Sequence, residues 1–543
     1  MRVTLIIAIV LFSLTSVKAQ DTMRKRQVNV TSSFKPQLKE AAKINLNASP
    51  PQTDTTRPVL QYNIPNQNLL FAYQPGSLKP LAMSVDSVVK WATWNYAKVG
   101  YGSLNTPYFE TGLSITNGSN AGLNIYGNYV SSKGKIEYQK FDNTKVDLNG
   151  FVRTGGNNEL TGRIGFVDEH YNKYGGFVDN QFYSKDSIPV HFQTLCTRLA
   201  FRNINPTAYG ISYAPEVRID VFTDKINNRE TNTYFNLPLR KTLGGRFEAE
   251  LALDGGFTNY EPKNNTRIST SYISFNPSLF VKTTNIYLQA GIKPSWDNGA
   301  FKIMPNVLAE ISTTDKRASI IAGWTGHLRT NSYQSLAAIN PWIWAPATVN
   351  NSRIEEIYLG VKGALTDHFS YTVRGGVNTY TNQPLFINDT ITGKSFSVLN
   401  EPSMKALNVH GEIGYTMGDK FTLRSSLNLN HYMNMAVNEE AWGLLPLEFT
   451  TSIRLQILKD LYAKEDFYAF DAPYYRLNSA IKGKLPGAMD ITAGLEFAVA
   501  KNVKIWTQFN NILNSQYERW KGYPTYGFNF VGGIVFSFAQ NQK

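Results

Sequence analysis

Histidine and acidic side chains are the residues of this sequence whose types could support acid–base or metal chemistry. No pair of histidines has a metal-binding spacing such as HExxH. The densest group is Asp168-Glu169-His170, which we interpret as a strand end or loop in contact with water, with a site as the alternative. The sequence therefore predicts no catalytic, cofactor-binding or metal-binding residue among its histidines: His170, His191, His327, His368, His410 and His431.

Motifs of covalent and nucleotide chemistry do not occur in the sequence. It has no Gly-x-Ser-x-Gly nucleophile elbow and no phosphate-binding loop. Its basic residues are dispersed along the chain, which does not favour nucleic acid as a partner. We therefore expect a protein that is not an enzyme.

The aromatic segment from Ile339 to Pro346 is the best candidate for a binding surface. Trp342 and Trp344 fall on one side of an extended chain, and aromatic platforms suit contacts with a ligand or a protein. The alternative is an aromatic loop folded into the mouth of a barrel, which is the fold that the strand pattern predicts.

Alternation of apolar and polar residues indicates strands that have one apolar and one charged face, because successive side chains of a strand point to opposite sides. Charges that face lipid are costly, so the charged face is expected to line a polar lumen. Only 17% of the residues are charged, against about a quarter in soluble domains. In the segment 246–254 the apolar face holds Phe247, Ala249, Leu251 and Leu253, and the other face holds Glu248, Glu250 and Asp254.

Short polar breaks and long irregular breaks alternate along the chain. Outer-membrane barrels have this pattern because their periplasmic turns are short and their extracellular loops are long. We predict an all-β transmembrane antiparallel barrel of about 22 strands (range about 18–22) between Trp94 and Phe538, with both termini periplasmic. The short breaks are 117–120, 154–158, 203–206, 241–245, 282–285, 313–316, 365–368, 417–420, 458–460 and 500–502, and the long ones are 174–190, 261–268, 331–351, 381–401, 432–443, 471–487 and 514–526.

The last strand must pair with the first strand, because unpaired backbone is too costly in lipid. Its aromatic face is expected to meet lipid. The pattern Gly533-x-x-Phe536-x-Phe538 resembles the carboxy-terminal recognition signal of outer-membrane barrels, although the chain continues to Lys543. That resemblance implies the barrel assembly machinery as a partner during insertion.

Three segments are predicted. Residues 1–19 have a basic start, a short apolar run and a small-residue cleavage site, which is typical of a secretory signal peptide. Residues 20–90 are rich in proline and are interpreted as a periplasmic arm, with a lumen occluder or a partner-docking strand as the alternative. Residues 91–543 form the barrel.

A single cysteine, Cys196, excludes an intrachain disulfide framework.

A family resemblance covers roughly residues 91–538. The stretch from Asn510 to Phe530, with its Asn-Asn-Ile-Leu-Asn and Gly-Tyr-Pro, resembles the last loop and strands of TonB-dependent receptors of Bacteroidota. The segments 28–45 and 62–65 resemble the start of a Bacteroidota group of such barrels. The resemblance implies an outer-membrane receptor barrel. Because only about 70 residues separate Gln20 from the first strand, too few for the family's plug domain, we expect a plugless relative.

Two functions are compatible with these features. The first is a plugless receptor-type barrel for passage or capture of a solute across the outer membrane. The alternative is a scaffold barrel of a larger outer-membrane complex, with a partner protein that seals the lumen. The formal charge of +13 suits contacts with membrane lipid and lipopolysaccharide at the rims, or an anion-favouring lumen. The sequence indicates no substrate.

Overall fold

The computed structural model describes residues 94–539 apart from 117–119, 176–186, 264, 316, 391 and 419. The predicted signal peptide (1–19) and periplasmic arm (20–90) therefore lie outside the described residues. No helix of the described part is long and apolar enough to cross a membrane.

Twenty-two antiparallel strands form one closed barrel, which confirms the predicted fold class. They are β1 (Trp94–Gly102), β2 (Thr106–Thr116), β3 (Ala121–Lys133), β4 (Lys140–Thr154), β5 (Asn158–Asn172), β6 (Pro189–Asn203), β7 (Ile211–Tyr213 with Glu216–Asp224), β8 (Arg229–Gly244), β9 (Phe247–Glu261), β10 (Ile268–Lys282), β11 (Ile286–Asp297), β12 (Ala300–Ser312), β13 (Ala318–Arg329), β14 (Ser352–Thr366), β15 (Phe369–Asn388), β16 (Phe396–Met417), β17 (Phe421–Met433), β18 (Leu447–Leu458), β19 (Leu461–Phe470), β20 (Ala488–Ala500), β21 (Val503–Asn510) and β22 (Asn529–Ala539).

Strand β7 consists of two pieces in one register. Ile211 pairs with Lys241 and Glu216 pairs with Asn236, so both pieces continue along the same edge of β8. Pro215 lies at the break and has no N–H to donate to a ladder. Outside the barrel wall, the described residues form one helix, α1 (Tyr333–Ile339), and a small hairpin of Tyr474–Arg476 and Lys482–Lys484.

The two faces of the wall differ in polarity as predicted. Leu251 on β9 and Phe536 on β22 point outward and are about half exposed, at 45% and 49%. Their neighbours Glu250 and Val535 point inward, and Glu250 bonds to Arg240 across the lumen face. The outer wall is therefore apolar and the lumen wall is rich in polar and charged groups.

One end of the barrel carries only short turns, and we call it the turn end. The ten predicted short breaks are confirmed there as the connections 117–120, 155–157, 204–210, 245–246, 283–285, 313–317, 367–368, 418–420, 459–460 and 501–502. Both described termini of the barrel, at Trp94 and Ala539, also lie at this end.

The opposite end, the loop end, carries the long connections 173–188, 330–351, 434–446, 471–487 and 511–528. The prediction of one long break over 381–401 is wrong. Strands β15 and β16 continue through this segment, with Gln383 paired to Glu401, and only 389–395 connect them. Asn382 has a left-handed backbone (φ 57°) that interrupts the alternation of faces, which hides the strand from a period-2 pattern.

The barrel closes where β22 pairs with β1, from Trp94↔Ala539 to Gly102↔Val531. On the lumen side of this seam the indole of Trp506 lies across both strands and donates to the Val99 carbonyl at 3.2 Å. A Cβ on Gly100 would come within 2.5 Å of that indole, and a Cβ on Gly533 would overlap the Val99 carbonyl oxygen. Glycine at these two positions therefore permits the closing strands to pack beneath Trp506.

Replacement of Gly533 by Ala should weaken the seam, because the added methyl forces the backbone of β1 or β22 to shift. We expect a loss of about 1–3 kcal/mol in the free energy of unfolding, measured by denaturant titration of the refolded barrel. The matched control is Gly375→Ala, whose Cβ would meet only the Asn408 carbonyl, at 3.9 Å. Equal stability of the two variants would contradict this account of the seam.

Candidate functional site

Two loop-end connections, residues 330–351 and 511–528, form what we call the cap. They share a buried aromatic and aliphatic core with residues that end the neighbouring strands. Burial of large aromatic side chains is the main source of stability for such an assembly. The core consists of Phe192, Phe222, Tyr260, Tyr333, Leu336, Ala337, Trp342, Ile343, Val349, Phe386, Phe396, Trp520 and Tyr523.

Trp342 joins the two halves of the cap. Its ring stacks on Tyr523 with 3.9 Å between centroids, and its indole N–H donates to the Asn172 carbonyl at 3.2 Å. Tyr174 packs edge-on against both rings. Only 3% of Trp342 is exposed, so this predicted binding residue lies inside the cap.

The cap reaches several parts of the barrel rim. The Pro524 carbonyl accepts hydrogen bonds from Gln139, after β3, and from Tyr174, after β5. On another part of the rim, Asn388 at the end of β15 donates to the Lys521 carbonyl at 3.1 Å. Because contacts extend from β3 through β9 to β15, the cap lies across the loop end of the lumen.

A buried carboxylate holds the helix of the cap. Glu230 on β8 is fully buried and accepts the backbone N–H groups of Tyr333 at 2.6 Å and Gln334 at 3.0 Å. Ser332 caps α1 through its side chain, which accepts from the Ser335 N–H. These N–H groups at the helix start have no partner within the helix, and the carboxylate accepts their hydrogen bonds. The positive potential at the start of the helix in turn stabilises the negative charge of the carboxylate.

Trp344 occupies a different environment from Trp342. It is 48% exposed, and the Lys173 ammonium lies 4.2 Å from the centre of its ring, within cation–π range. Burial lowers the pKa of Lys173 to about 8; Asp389 opposes this shift and Lys225 adds to it. Trp344 is thus the accessible member of the predicted pair, and a binding role for it remains a prediction.

Arg519 is a cap residue that the sequence did not single out. Its guanidinium is 3% exposed, lies 4.2 Å from the Trp520 ring and donates to the Gly443 carbonyl at 2.8 Å. Its Nε and Nη1 atoms have no hydrogen-bond partner in the described structure, and burial lowers its pKa. Such a group can donate to water or to an anion. Neither Arg519 nor Glu230 has a local sequence signal, because each acts on residues far away along the chain.

Below the cap, ion pairs join neighbouring strands on the lumen wall. Glu159, which is 1% exposed, lies between Arg153 and Arg202 at 2.9 Å and 2.7 Å. Lys504 pairs with Glu496 at 2.6 Å. Paired charges of both signs give the lumen wall a polar lining.

Comparison with known proteins identifies the fold. The iron transporter FrpB from Neisseria meningitidis superposes with a TM-score of 0.63 at 11% identity, over 82% of this chain and 81% of that chain. The copper transporter OprC gives 0.59 at 12%, over 83% and 81%. The ferric enterobactin receptor PfeA from Pseudomonas aeruginosa gives 0.58 at 13%, over 82% and 80%.

No protein-family model matches the chain, and no curated protein matches its sequence. At the low identity of the similar structures the likeness concerns the fold alone. The chain has the closed 22-strand barrel fold of these transporters and receptors.

Removing the Glu230 carboxylate should loosen α1. The variant Glu230→Ala leaves the N–H groups of Tyr333 and Gln334 unpaired, which costs about 1–3 kcal/mol. We expect amide hydrogen exchange over 333–340 to accelerate roughly tenfold or more, measured by mass spectrometry. The control variant Glu159→Ala removes a buried carboxylate of the lumen wall. The rate of amide hydrogen exchange in α1 should be unchanged in this variant. Equal acceleration in both variants would contradict a specific role for Glu230.

The Lys173–Trp344 contact should depend on pH. As the pH rises through about 8 the ammonium loses its proton, and its cation–π attraction to Trp344 disappears. We expect a step in tryptophan fluorescence centred near pH 8 that is absent in Lys173→Met and in Trp344→Phe.

The free energy of unfolding should also depend on pH through Lys173, and the direction follows from its lowered pKa. The pKa of Lys173 is lower in the folded protein than the ordinary lysine value of about 10.4. The unfolded chain therefore binds more protons between these two values, and this lysine makes folding more favourable as the pH rises from about 8 to about 10.4. Denaturant titration of wild type and Lys173→Met measures the difference. A difference that does not change with pH would contradict the assignment.

Proposed function

We propose that this chain is an outer-membrane receptor-type barrel that captures a solute at its loop end and passes it inward when the cap moves. The observation that carries the proposal is the cap itself. It lies across the mouth of a polar lumen and is attached to the rim by side-chain contacts, such as Glu230 with α1, and by an isolated backbone bridge between Ile343 and Phe396, without a continuous β ladder. Such contacts can open without breaking the barrel.

The likeness to solved transporters and receptors supports this class of function by analogy of fold. The chemistry of Trp344 on the cap and of Lys173 on the neighbouring connection after β5 suggests the type of solute. Trp344 offers an aromatic face and Lys173 a cation beside it. A solute with anionic or aromatic groups would bind both.

We also propose how the barrel sits in the membrane. Both termini are periplasmic and the loop end faces outward, since long loops of such barrels are external. Residues 1–19 are removed as a signal peptide, and residues 20–90 form a periplasmic arm that is not a plug. Gly533, Phe536 and Phe538 serve as the signal for the assembly machinery, while lipid and lipopolysaccharide surround the outer wall.

A scaffold barrel remains the second candidate, and the packing of the cap favours it. Thirteen buried residues form the cap core, which suits a permanently closed mouth as well as a gate. In that case the loops would hold partner proteins, one of which could seal the lumen from the turn end.

Single-channel conductance in a planar bilayer separates these functions. Four proteins are compared: the full chain, a chain lacking residues 21–90, a chain with 333–350 replaced by a Gly-Ser linker, and a combined variant that carries both changes. We expect no conductance from the full chain and steady conductance once the cap segment is replaced. The folded state of each protein is checked by denaturant titration.

Three results would change the conclusion. Conductance of the full chain equal to that of the combined variant would indicate a permanently open pore and exclude a gate. Silence of the combined variant would indicate that the barrel is not a passage, and would favour the scaffold. Conductance that appears only after deletion of 21–90 would identify the arm, and not the cap, as the occluder.

A further inference from the structure

Two imidazoles and two carboxylates converge on the outer wall of strands β4, β5 and β6. Asp142 pairs with His170 across β4–β5, and His170 pairs with His191 across β5–β6. Asp168 lies two residues before His170, on the same face. This face points outward, because the residues that continue it along the three strands are apolar and exposed: Val146, Val152, Ile164, Phe166, Leu195 and Leu199.

The four side chains are close together. The rings of His170 and His191 stack with 3.9 Å between centroids and 10° between planes. His191 Nε2 is 2.7 Å from Asp168 Oδ1. His170 Nδ1 is 3.0 Å from Asp142 Oδ1 and 3.6 Å from Asp168 Oδ2, but it makes no aligned hydrogen bond with either. His191 Nε2 and Asp168 Oδ1 form a hydrogen bond, whereas His170 Nδ1 lies between two carboxylates without one, and a shared cation would pair all of these groups.

We propose that Asp142, Asp168, His170 and His191 form a binding site for a divalent transition-metal ion of the Zn²⁺ type. Two imidazole nitrogens and two carboxylate oxygens make a complete four-coordinate set for such an ion. One ligand atom each from Asp168, His170 and His191 already lies within 4.8 Å of the others. Bonds of about 2.0–2.2 Å need ligand atoms roughly 3.3 Å apart. Binding therefore requires the two imidazoles to rotate out of their stacked arrangement so that their nitrogen lone pairs converge on the ion.

The neighbouring residues support the ligands without competing for the ion. The side chain of Gln193 hydrogen-bonds to Asp168 and lies opposite it across β5–β6. Such a second partner orients a ligating carboxylate. The four ligands are partly exposed, at 21–40% of their side chains, so an ion from solution can reach them.

The position of the site along the strands of the outer wall is also suitable for binding a cation from solution. On β4, β5 and β6 the outward side chains are mostly apolar, with Thr197 as an exception, up to Val146, Phe166 and Leu195 and then become polar toward the loop end. The site lies just beyond this boundary, where water and charged head groups replace hydrocarbon. A bound divalent cation there would compensate two carboxylates that otherwise face an anionic surface.

Sequence spacing could not reveal this set. Asp168 and His170 are two positions apart in sequence, but Asp142 and His191 join them only through the strand register. The site does not depend on the proposed transport function, and it would be present in a scaffold barrel as well.

Metal binding by the purified full chain in detergent, first treated with a chelator, tests the proposal. Co²⁺ serves as the spectroscopic probe, and Zn²⁺ then displaces it. We expect one equivalent of Co²⁺ with the strong visible bands of a four-coordinate ion, and loss of those bands when Zn²⁺ is added. His170→Gln and His191→Gln should each weaken Zn²⁺ binding at least about tenfold, and Asp168→Asn should do the same.

The matched control is His410→Gln. His410 lies on the lumen wall, bonds to Asn428 and pairs with Glu412, and has no second histidine beside it. Its replacement should leave the Co²⁺ spectrum unchanged. Denaturant titration of each variant without metal verifies that the barrel is folded. Co²⁺ bands that persist in the double variant His170→Gln/His191→Gln, or a wild-type barrel without such bands, would overturn the proposal.

Discussion

The structure depends on one constraint, the pairing of every backbone N–H and C=O group where the wall meets lipid. An open sheet has two unpaired edges, and hydrocarbon offers them no partner. The chain meets this requirement by pairing its last described strand with its first, Trp94 with Ala539. The seam joins residues more than 400 positions apart, so the ladder is complete only when the final strand is in place.

Closure has consequences for side chains on both faces of the wall. Outward residues that face hydrocarbon must be apolar, and polar groups collect on the lumen side, where they satisfy one another. Glu159 between Arg153 and Arg202 is an example that links β4, β5 and β6. At the seam itself the limit is steric. Trp506 covers the junction, and glycine at position 100 leaves room for its ring, while glycine at position 533 lets β22 approach the backbone of β1.

The cap obeys different physical rules from the wall. It has no continuous ladder and is held by an aromatic core, by α1 on Glu230, and by single hydrogen bonds to carbonyls such as that of Pro524. Each of these contacts is worth little compared with the whole barrel, so the cap can rearrange while the wall stays intact. This difference in strength between wall and cap is what a gated receptor requires. A permanently closed scaffold would have no need of it.

The sequence alone determined the barrel, its strand number, its wall polarity and the position of the short turns at the turn end. These features depend on a period of two residues and on local turn chemistry, which are visible in any short window. It misassigned 381–401, where the left-handed backbone of Asn382 interrupts the alternation. Tertiary structure alone decided which residues form the cap and the metal-ligand set. Trp342 is buried and Trp344 exposed although they are two positions apart, because Tyr523, on the connection before the last strand, stacks on only one of them. Glu230, Arg519 and His191 gain their partners in the same way, through strand register and loop packing that bring together residues distant in sequence.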